Sequence, residues 1–183
     1  MQKQKLLLHV CCAPCASAVI EELHNHFDLT LYAYNPCITD EGEWCMRFGE
    51  LKRLVKEMNY DNVKLILADG DLPSRELFKW AEQYKDLPEG GKRCEMCYTQ
   101  RLGATAKFAK DNGFNYFATT LTLSPYKDSA YINFVGRKCG HKMGVMYMPF
   151  DFSYLYIKSL ELCEKYNLYQ QDFCGCEYSR QKV

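Results

Sequence analysis

The chemistry in this sequence sits in its 11 cysteines, most of which fall in three short motifs. Cys11, Cys12 and Cys15 lie in H-V-C-C-A-P-C, at the end of the first apolar run. Three thiols in five positions around a proline are too dense for ordinary buried packing, the usual fate of a free cysteine. Ala18 stands where a radical-SAM loop needs a further cysteine, so that loop is excluded. Cys94 and Cys97 form C-E-M-C, behind Gly90-Gly91-Lys92-Arg93 and ahead of a helix. This spacing suits zinc, an iron–sulfur cluster or thiol–disulfide exchange. A thioredoxin-like layout would put the motif in the first strand-to-helix turn, which is not its place here. A metal half-site needs a second pair, and Cys11 with Cys12 supplies one. Four thiolates satisfy either zinc or a [4Fe–4S] cluster, and the residues alone leave both open. Cys174 and Cys176 form C-G-C, where a disulfide would close a small strained ring. Strained bridges reduce easily, so the pair suits redox cycling better than stability.

The other cysteines are isolated. Cys163 and Cys45 read as helix packing, and Cys139 with His141 gives only two ligands in a basic loop. Cys37 follows Asn35-Pro36 and borders the site without being a ligand.

The motifs must be held by the elements between them. Leu6–Val10, Leu29–Tyr34, Val63–Ala68, Tyr116–Thr120 and Val145–Met148 read as strands. Helical periodicity covers about 16–26, 43–58, 74–84 (with Ser74 as N-cap), 98–112 and 155–166, and Asp69-Gly70-Asp71 reads as a turn. Strands alternating with helices predict an α/β fold with a mostly parallel sheet. Ligands of such sheets bind beyond the carboxyl ends of the strands. Cys11-Cys12, Asn35-Pro36-Cys37 and Thr119–Ser124 all follow strands, so separate segments converge on one rim.

Length and composition narrow the setting. At 183 residues, with 48% apolar and 25% charged, the chain is expected to fold as one domain over 1–183. A chain this long builds a core without staples, and 11 is an odd number, so a secreted disulfide framework is disfavoured. His9 and Pro14 break the only candidate signal peptide, and no apolar run is long enough to span a membrane; the expected location is the cytoplasm. With 23 basic and 23 acidic residues the formal charge is zero. That argues against a protein that coats nucleic acid but permits a local patch.

Several motifs occur in a fixed order: H-V-C-C-A-P-C, Y-N-P-x-I at 34–38, R-C-x-x-C-Y-x-x-R-L at 93–102, T-T-L-x-x-S-P-Y-K at 119–127, D-F at 151–152 and C-G-C. Together they closely resemble the cobalamin-independent epoxyqueuosine reductase family, QueH, over nearly the whole chain. The resemblance implies reductive removal of the epoxide oxygen from epoxyqueuosine in a tRNA anticodon loop, the last step of queuosine synthesis. It also implies a Rossmann-like, three-layer fold similar to the adenine-nucleotide alpha hydrolases, a [4Fe–4S] cluster and an additional iron. Cys11, Cys12, Cys94 and Cys97 match the cluster ligands, and Cys174 with Cys176 the redox-active disulfide, on a C-terminal segment folded back over the rim. The sequence departs from the family in carrying Cys37 where Asn is usual, and Ser153-Tyr154 where basic residues commonly follow D-F.

Turning an epoxide into an alkene and water takes two electrons and two protons, which a closing dithiol can release. Cys15 is the candidate ligand of the additional iron, which would act as a Lewis acid on the epoxide oxygen. Asp151 and Tyr126 are candidate proton donors. Lys92, Arg93, Arg101, Lys127, Arg137, Lys138 and Lys142 are candidate phosphate contacts, and Tyr34, Tyr98 and Tyr126 candidate platforms for an unstacked base. An external electron donor is required. Two other readings use the same residues. A related-fold tRNA-thiolation or ATP-using enzyme lacks support because no glycine-rich phosphate loop follows the first strand. A non-catalytic zinc-binding RNA module would be colourless where a cluster protein absorbs visible light.

Overall fold

The structure is a computed structural model that describes residues 3–68 and 75–180. The expected turn at Asp69-Gly70-Asp71 and the Ser74 cap lie outside them. Among the described residues five strands run β1 (Gln4–Val10), β2 (Phe27–Ala33), β3 (Val63–Leu67), β4 (Tyr116–Thr119) and β5 (Met146–Tyr147). They form one sheet in the order β3-β2-β1-β4-β5, and every pairing is parallel. Among the described residues the α-helices are α1 (Ala13–Leu23), α2 (Glu41–Met58), α3 (Lys92–Asp111), α4 (Ser129–Met143) and α5 (Tyr156–Lys165), and the helix expected over 74–84 is a 3₁₀ helix at Arg75–Tyr84. This is the Rossmann-like α/β arrangement that the alternating periodicities predict.

Side chains alternate across the sheet. Leu6, Leu8, Val10, Leu29 and Leu31 pack with residues of α1, α2 and α5 on one face. Leu7, Tyr32 and Phe117 pack with Ala106, Ala109 and Tyr147 on the other, beneath α3 and α4. Both faces are covered, so Leu6, Leu7 and Leu8 are all fully buried. That explains why β1 reads as a continuous apolar run rather than an alternating one.

Three differences from the sequence reading bear on the site. α1 begins at Ala13, with Pro14 in its first turn, where a missing N–H costs nothing. Cys15 therefore sits in that turn rather than in a loop ahead of it. α3 begins at Lys92, so Cys94 and Cys97 are already helical. The largest correction is α4, capped by the Asp128 side chain and ended by Gly144 at φ 72°. Its Gly136 and Gly140 make residues 136–144 resemble a loop, since each glycine costs about 1 kcal/mol in a helix. Here they are required by packing: a Cβ at Gly136 would lie 2.4 Å from Cζ of Tyr147. No helix among the described residues is long and apolar enough to cross a membrane.

Candidate active site

Strand order reverses between β1 and β4, the switch point where open α/β sheets hold ligands. His9 ties the strands together just below it. Its Nε2 is 3.0 Å from the Tyr34 carbonyl and its Nδ1 2.9 Å from Thr119 Oγ1. A carbonyl only accepts, so Nε2 carries the proton and Nδ1 accepts from the Thr119 hydroxyl. Burial lowers the His9 pKa to about 4, so the ring is neutral. His9 is a structural lock whose role the sequence does not announce.

Above it, chain leaving β1 places Cys11, Cys12 and Cys15 with their sulfurs all within 4.8 Å of one another. Cys11 Sγ lies 3.6 Å from Cys12 Sγ and 3.9 Å from Thr120 Oγ1, which follows β4. Cys12 is the N-cap of α1 and no side chain satisfies the cap, so the positive end of the helix faces the thiols. Hydrogen bonds from Cys12 and then Cys15, reinforced by Arg101 and Lys127 against the cost of burial, hold Cys11 well below the usual thiol range. Cys12 is correspondingly raised to about 12, and Cys15 is raised too, because each serves first as a donor to Cys11. Gln171 adds a hydrogen bond to Cys12 Sγ at 3.0 Å.

The second motif opens α3, whose N-cap Gly91 also offers no capping side chain. Gly90 N–H donates to Cys94 Sγ at 3.3 Å. Cys97 pairs with Cys37, which falls to about 6, first through that hydrogen bond and then through Arg101. Arg101 Nη2 also donates directly to Cys37 Sγ. Cys37 is thus a fully buried member of the cysteine cluster rather than a bystander at its border. Its neighbour Asn35 fixes the turn by donating to the Val10 carbonyl at 3.0 Å.

Two cations face this sulfur. Arg101 is buried, and Cys37, Cys97, Cys174 and Cys11 outweigh its desolvation and raise its pKa. Lys127 is likewise raised despite desolvation, by Cys174, Cys11 and Cys15. Arg101 Nε has no hydrogen-bond partner among the described residues. A buried guanidinium with an unpaired donor and thiols as its main counter-charges fits an anionic thiolate-bound metal group. Among the described residues, the thiols gathered closely enough to share one metal ion are Cys11, Cys12 and Cys15, while Cys97 pairs with Cys37.

A cavity of about 550 Å³ opens over the rim, lined by Cys11, Cys15, Arg101, Tyr126, Lys127 and Cys174 among others. Cys174 reaches this wall from the far end of the sequence. Burial raises the pKa of Cys174, and that of Cys176 to about 11. All 11 cysteines are free thiols.

Other candidates fall elsewhere. Arg93 is 2% exposed and donates to the carbonyls of Tyr84, Lys85 and Leu87, so it braces the loop before α3 and cannot grip phosphate. Arg101 faces the cysteines, not the outer surface. Arg137, Lys138 and Lys142 are exposed on α4. That helix runs back to the amino edge of the sheet, where Met146 pairs with Tyr116, so they are not gathered at the cavity. Lys92 is exposed beside Glu95, with 3.8 Å between their charged atoms. Asp151 accepts from Ser153 N–H at 3.0 Å and from Ser129 Oγ at 3.1 Å, and these bonds hold it below the usual carboxylate range. It is a capping carboxylate, the opposite of a proton donor. Of the three candidate stacking tyrosines, Tyr34 and Tyr98 are buried, while Tyr126 is 84% exposed at the cavity mouth.

Comparison with known proteins gives a consistent result. A family model described as "Epoxyqueuosine reductase QueH" matches residues 6–182. Among curated proteins, the epoxyqueuosine reductase QueH of Streptococcus pyogenes serotype M1 is 36% identical over 180 residues, 97% of this chain and 71% of that protein. The protein of the same name from Staphylococcus epidermidis is 35% identical over 191 residues, 99% of this chain and 78% of its own length. That from Thermotoga maritima is 32% identical over 179 residues, 95% and 89% respectively.

Proposed function

The chain belongs to the QueH family of epoxyqueuosine reductases, and on that premise we propose that it reduces epoxyqueuosine to queuosine in tRNA, drawing both electrons from Cys174 and Cys176. The observation that carries the second half is Cys174 itself. It shares one cavity wall with Cys11 and Cys15, although about 160 residues separate them. The net step balances. Both carbon–oxygen bonds of the epoxide break, a carbon–carbon double bond forms, and the two thiols give up two electrons and two protons. The oxygen leaves as water and a Cys174–Cys176 disulfide remains. An external reductant then reopens that disulfide for the next cycle.

Cys11, Cys12, Cys94 and Cys97 would hold a [4Fe–4S] cluster and Cys15 an additional iron, supplying single-electron transfer and Lewis acidity toward oxygen. The protein's own groups do the rest. Arg101 and Lys127 keep a positive field over the sulfur, which favours thiolate and opposes charge loss from the site. The cavity, at about 550 Å³, falls in the size range of small-molecule sites. Tyr126 at the mouth offers an exposed ring to an unstacked anticodon-loop base.

The test uses the Cys174→Ser/Cys176→Ser double variant, purified without oxygen, reduced, desalted and given substrate tRNA with no external donor. Wild-type protein converts up to one equivalent and ends with the bridge closed, as peptide mass mapping reads. The double variant keeps its iron and sulfide and converts none. If it loses iron together with activity, the pair is a metal ligand set and the electrons arrive singly by another route.

A further inference from the structure

One face of α2 carries Glu43, Arg47, Glu50 and Arg53, spaced four, three and three apart. On sequence this is a solvated helix face stitched by charge pairs. The structure places it against the chain beyond α5. Arg53 donates to the carbonyls of Tyr166 at 2.9 Å and Asn167 at 3.0 Å. Glu50 accepts from the Tyr169 backbone N–H at 2.9 Å, and Glu43 from the Tyr169 hydroxyl at 3.1 Å. Arg47 donates from Nη2 to the Phe173 carbonyl at 3.0 Å and from Nη1 to the Cys174 carbonyl at 3.2 Å. Each charged side chain thus holds one step of the same strap, mostly by its backbone.

Arg47 is the member nearest the chemistry. It is 2% exposed and its Nε is paired with Glu43, itself 6% exposed. Burying such a pair is costly unless its remaining donors are used. Here they are spent on two consecutive carbonyls, the second belonging to Cys174. Its guanidinium also lies 5.1 Å from the centre of the Phe173 ring, whose other cationic neighbour is Arg180 at 4.7 Å. Two rigid donors on adjacent carbonyls fix the two peptides that flank the Cys174 Cα, which a single ammonium cannot do.

We infer that Arg47 is a positioning residue for the reduction: its fork sets the Phe173–Cys174 peptide so that the Cys174 thiol stands in the cavity wall. This rests on the reading of Cys174 and Cys176 as the electron-donating pair. It predicts that charge at position 47 is insufficient and that the fork is needed.

The experiment compares wild type, Arg47→Lys, Tyr169→Phe and the Cys174→Ser/Cys176→Ser variant, each loaded with iron and sulfide and pre-reduced. Single-turnover rate, tRNA affinity and iron content are measured on the same preparations. Arg47→Lys keeps iron and tRNA affinity but loses about tenfold or more in single-turnover rate, the scale expected for a displaced reacting group. Tyr169→Phe removes only a brace on Glu43 and loses less, so it carries the test if Arg47→Lys does not fold. A wild-type rate in Arg47→Lys, or an unchanged rate in Tyr169→Phe when Arg47→Lys is unfolded, overturns the proposal. Weakened tRNA affinity at an undiminished saturating rate also overturns it, making Arg47 a substrate contact. If the double Ser variant still converts substrate, the electron-pair reading fails and this inference falls with it. If that variant is inactive while Arg47→Lys is normal, only the positioning role fails.

Discussion

Gly175 gives the sharpest test of how the C-terminal strap is seated. Its φ is 97°, a region that residues with a side chain avoid. A Cβ built there would lie 2.8 Å from Arg47 Nη1 and 2.9 Å from Ile38 Cγ1. Two costs therefore add in Gly175→Ala. Left-handed backbone costs about 1–2 kcal/mol. Overpacking against neighbours that cannot retreat adds about 1–3 kcal/mol. Arg47 cannot swing away without dropping Glu43 and two carbonyls, so the strap is the part that gives. Even the lower bound of the sum, about 2 kcal/mol, raises the open population of the strap roughly 30-fold. Gly113→Ala is the control, because Gly113 has φ 68° with no atom within 4 Å of the added Cβ. It bears the backbone cost alone, at the far end of α3. Hydrogen exchange on peptides covering 166–180 is the assay, with global unfolding measured in parallel. Gly175→Ala should exchange at least tenfold faster in the strap, with exchange in β1 and β4 little changed. Strap exchange in Gly175→Ala no faster than in Gly113→Ala would refute the argument, since neither the left-handed backbone nor the contact with Arg47 would then loosen the strap.

Two further outcomes follow from the same contacts. Glu50 is held below the usual carboxylate range, first by its hydrogen bonds from Arg53 and then by the Tyr169 N–H. A depressed carboxyl stabilises docking above its unfolded pKa and loses that contribution as pH falls through the folded one. Proteolysis of the strap by an acid-active protease should therefore accelerate as pH falls below about 4.5, the ordinary carboxyl value, and not between neutral pH and that point; Glu50→Gln should flatten that dependence, and a profile identical to wild type counts against it. Tyr126→Ala should weaken tRNA binding by about 1–3 kcal/mol while Tyr126→Phe stays near wild type, since stacking needs the ring and not the hydroxyl. Filter binding at fixed salt reads this, and equal loss in both variants would point to the hydroxyl instead.

Much of the fold was legible because burial on two faces leaves a distinct mark. Leu6–Val10, Leu29–Tyr34 and Val63–Ala68 read as strands from apolar runs, each within a few residues of the observed bounds, and parallel order follows from the helices between them. What failed to read did so for identifiable reasons. Gly136 and Gly140 disguised α4, because in a sequence a glycine needed for close packing looks the same as one that breaks a helix. Arg93 and Arg101 looked like phosphate ligands, because charge in a sequence carries no sign of burial. Their partners, three carbonyls and a cluster of thiols, come from segments distant in sequence or from backbone groups. Cys37 was under-read for the same reason: its importance lies in Cys97 and Arg101, about 60 residues on.

Sulfur reaches the rim by three devices that differ in physical origin. Cys11 and Cys12 arrive because β1 ends at the switch point, and Cys94 and Cys97 because a helix that precedes a parallel strand must begin at the carboxyl edge. Topology delivers both pairs, so any sequence that builds this sheet puts those positions there. The third device is independent of the sheet. Cys174 follows α5, and nothing in strand order requires the strap to turn back over the cavity. It does so because α2 supplies donors and acceptors for its backbone at Tyr166, Asn167, Tyr169, Phe173 and Cys174. Backbone recognition is largely indifferent to the strap's own side chains, so strap positions whose side chains make no such contact, unlike Leu168, Tyr169, Gln171, Phe173, Gly175 and the two cysteines, can vary without losing register. Sensitivity is transferred instead to α2, whose charged residues look dispensable on a helical wheel. Substitutions at Glu43 or Arg47 should therefore disturb the chemistry more than substitutions at Gln170 or Asp172, although the latter two lie closer in sequence to Cys174.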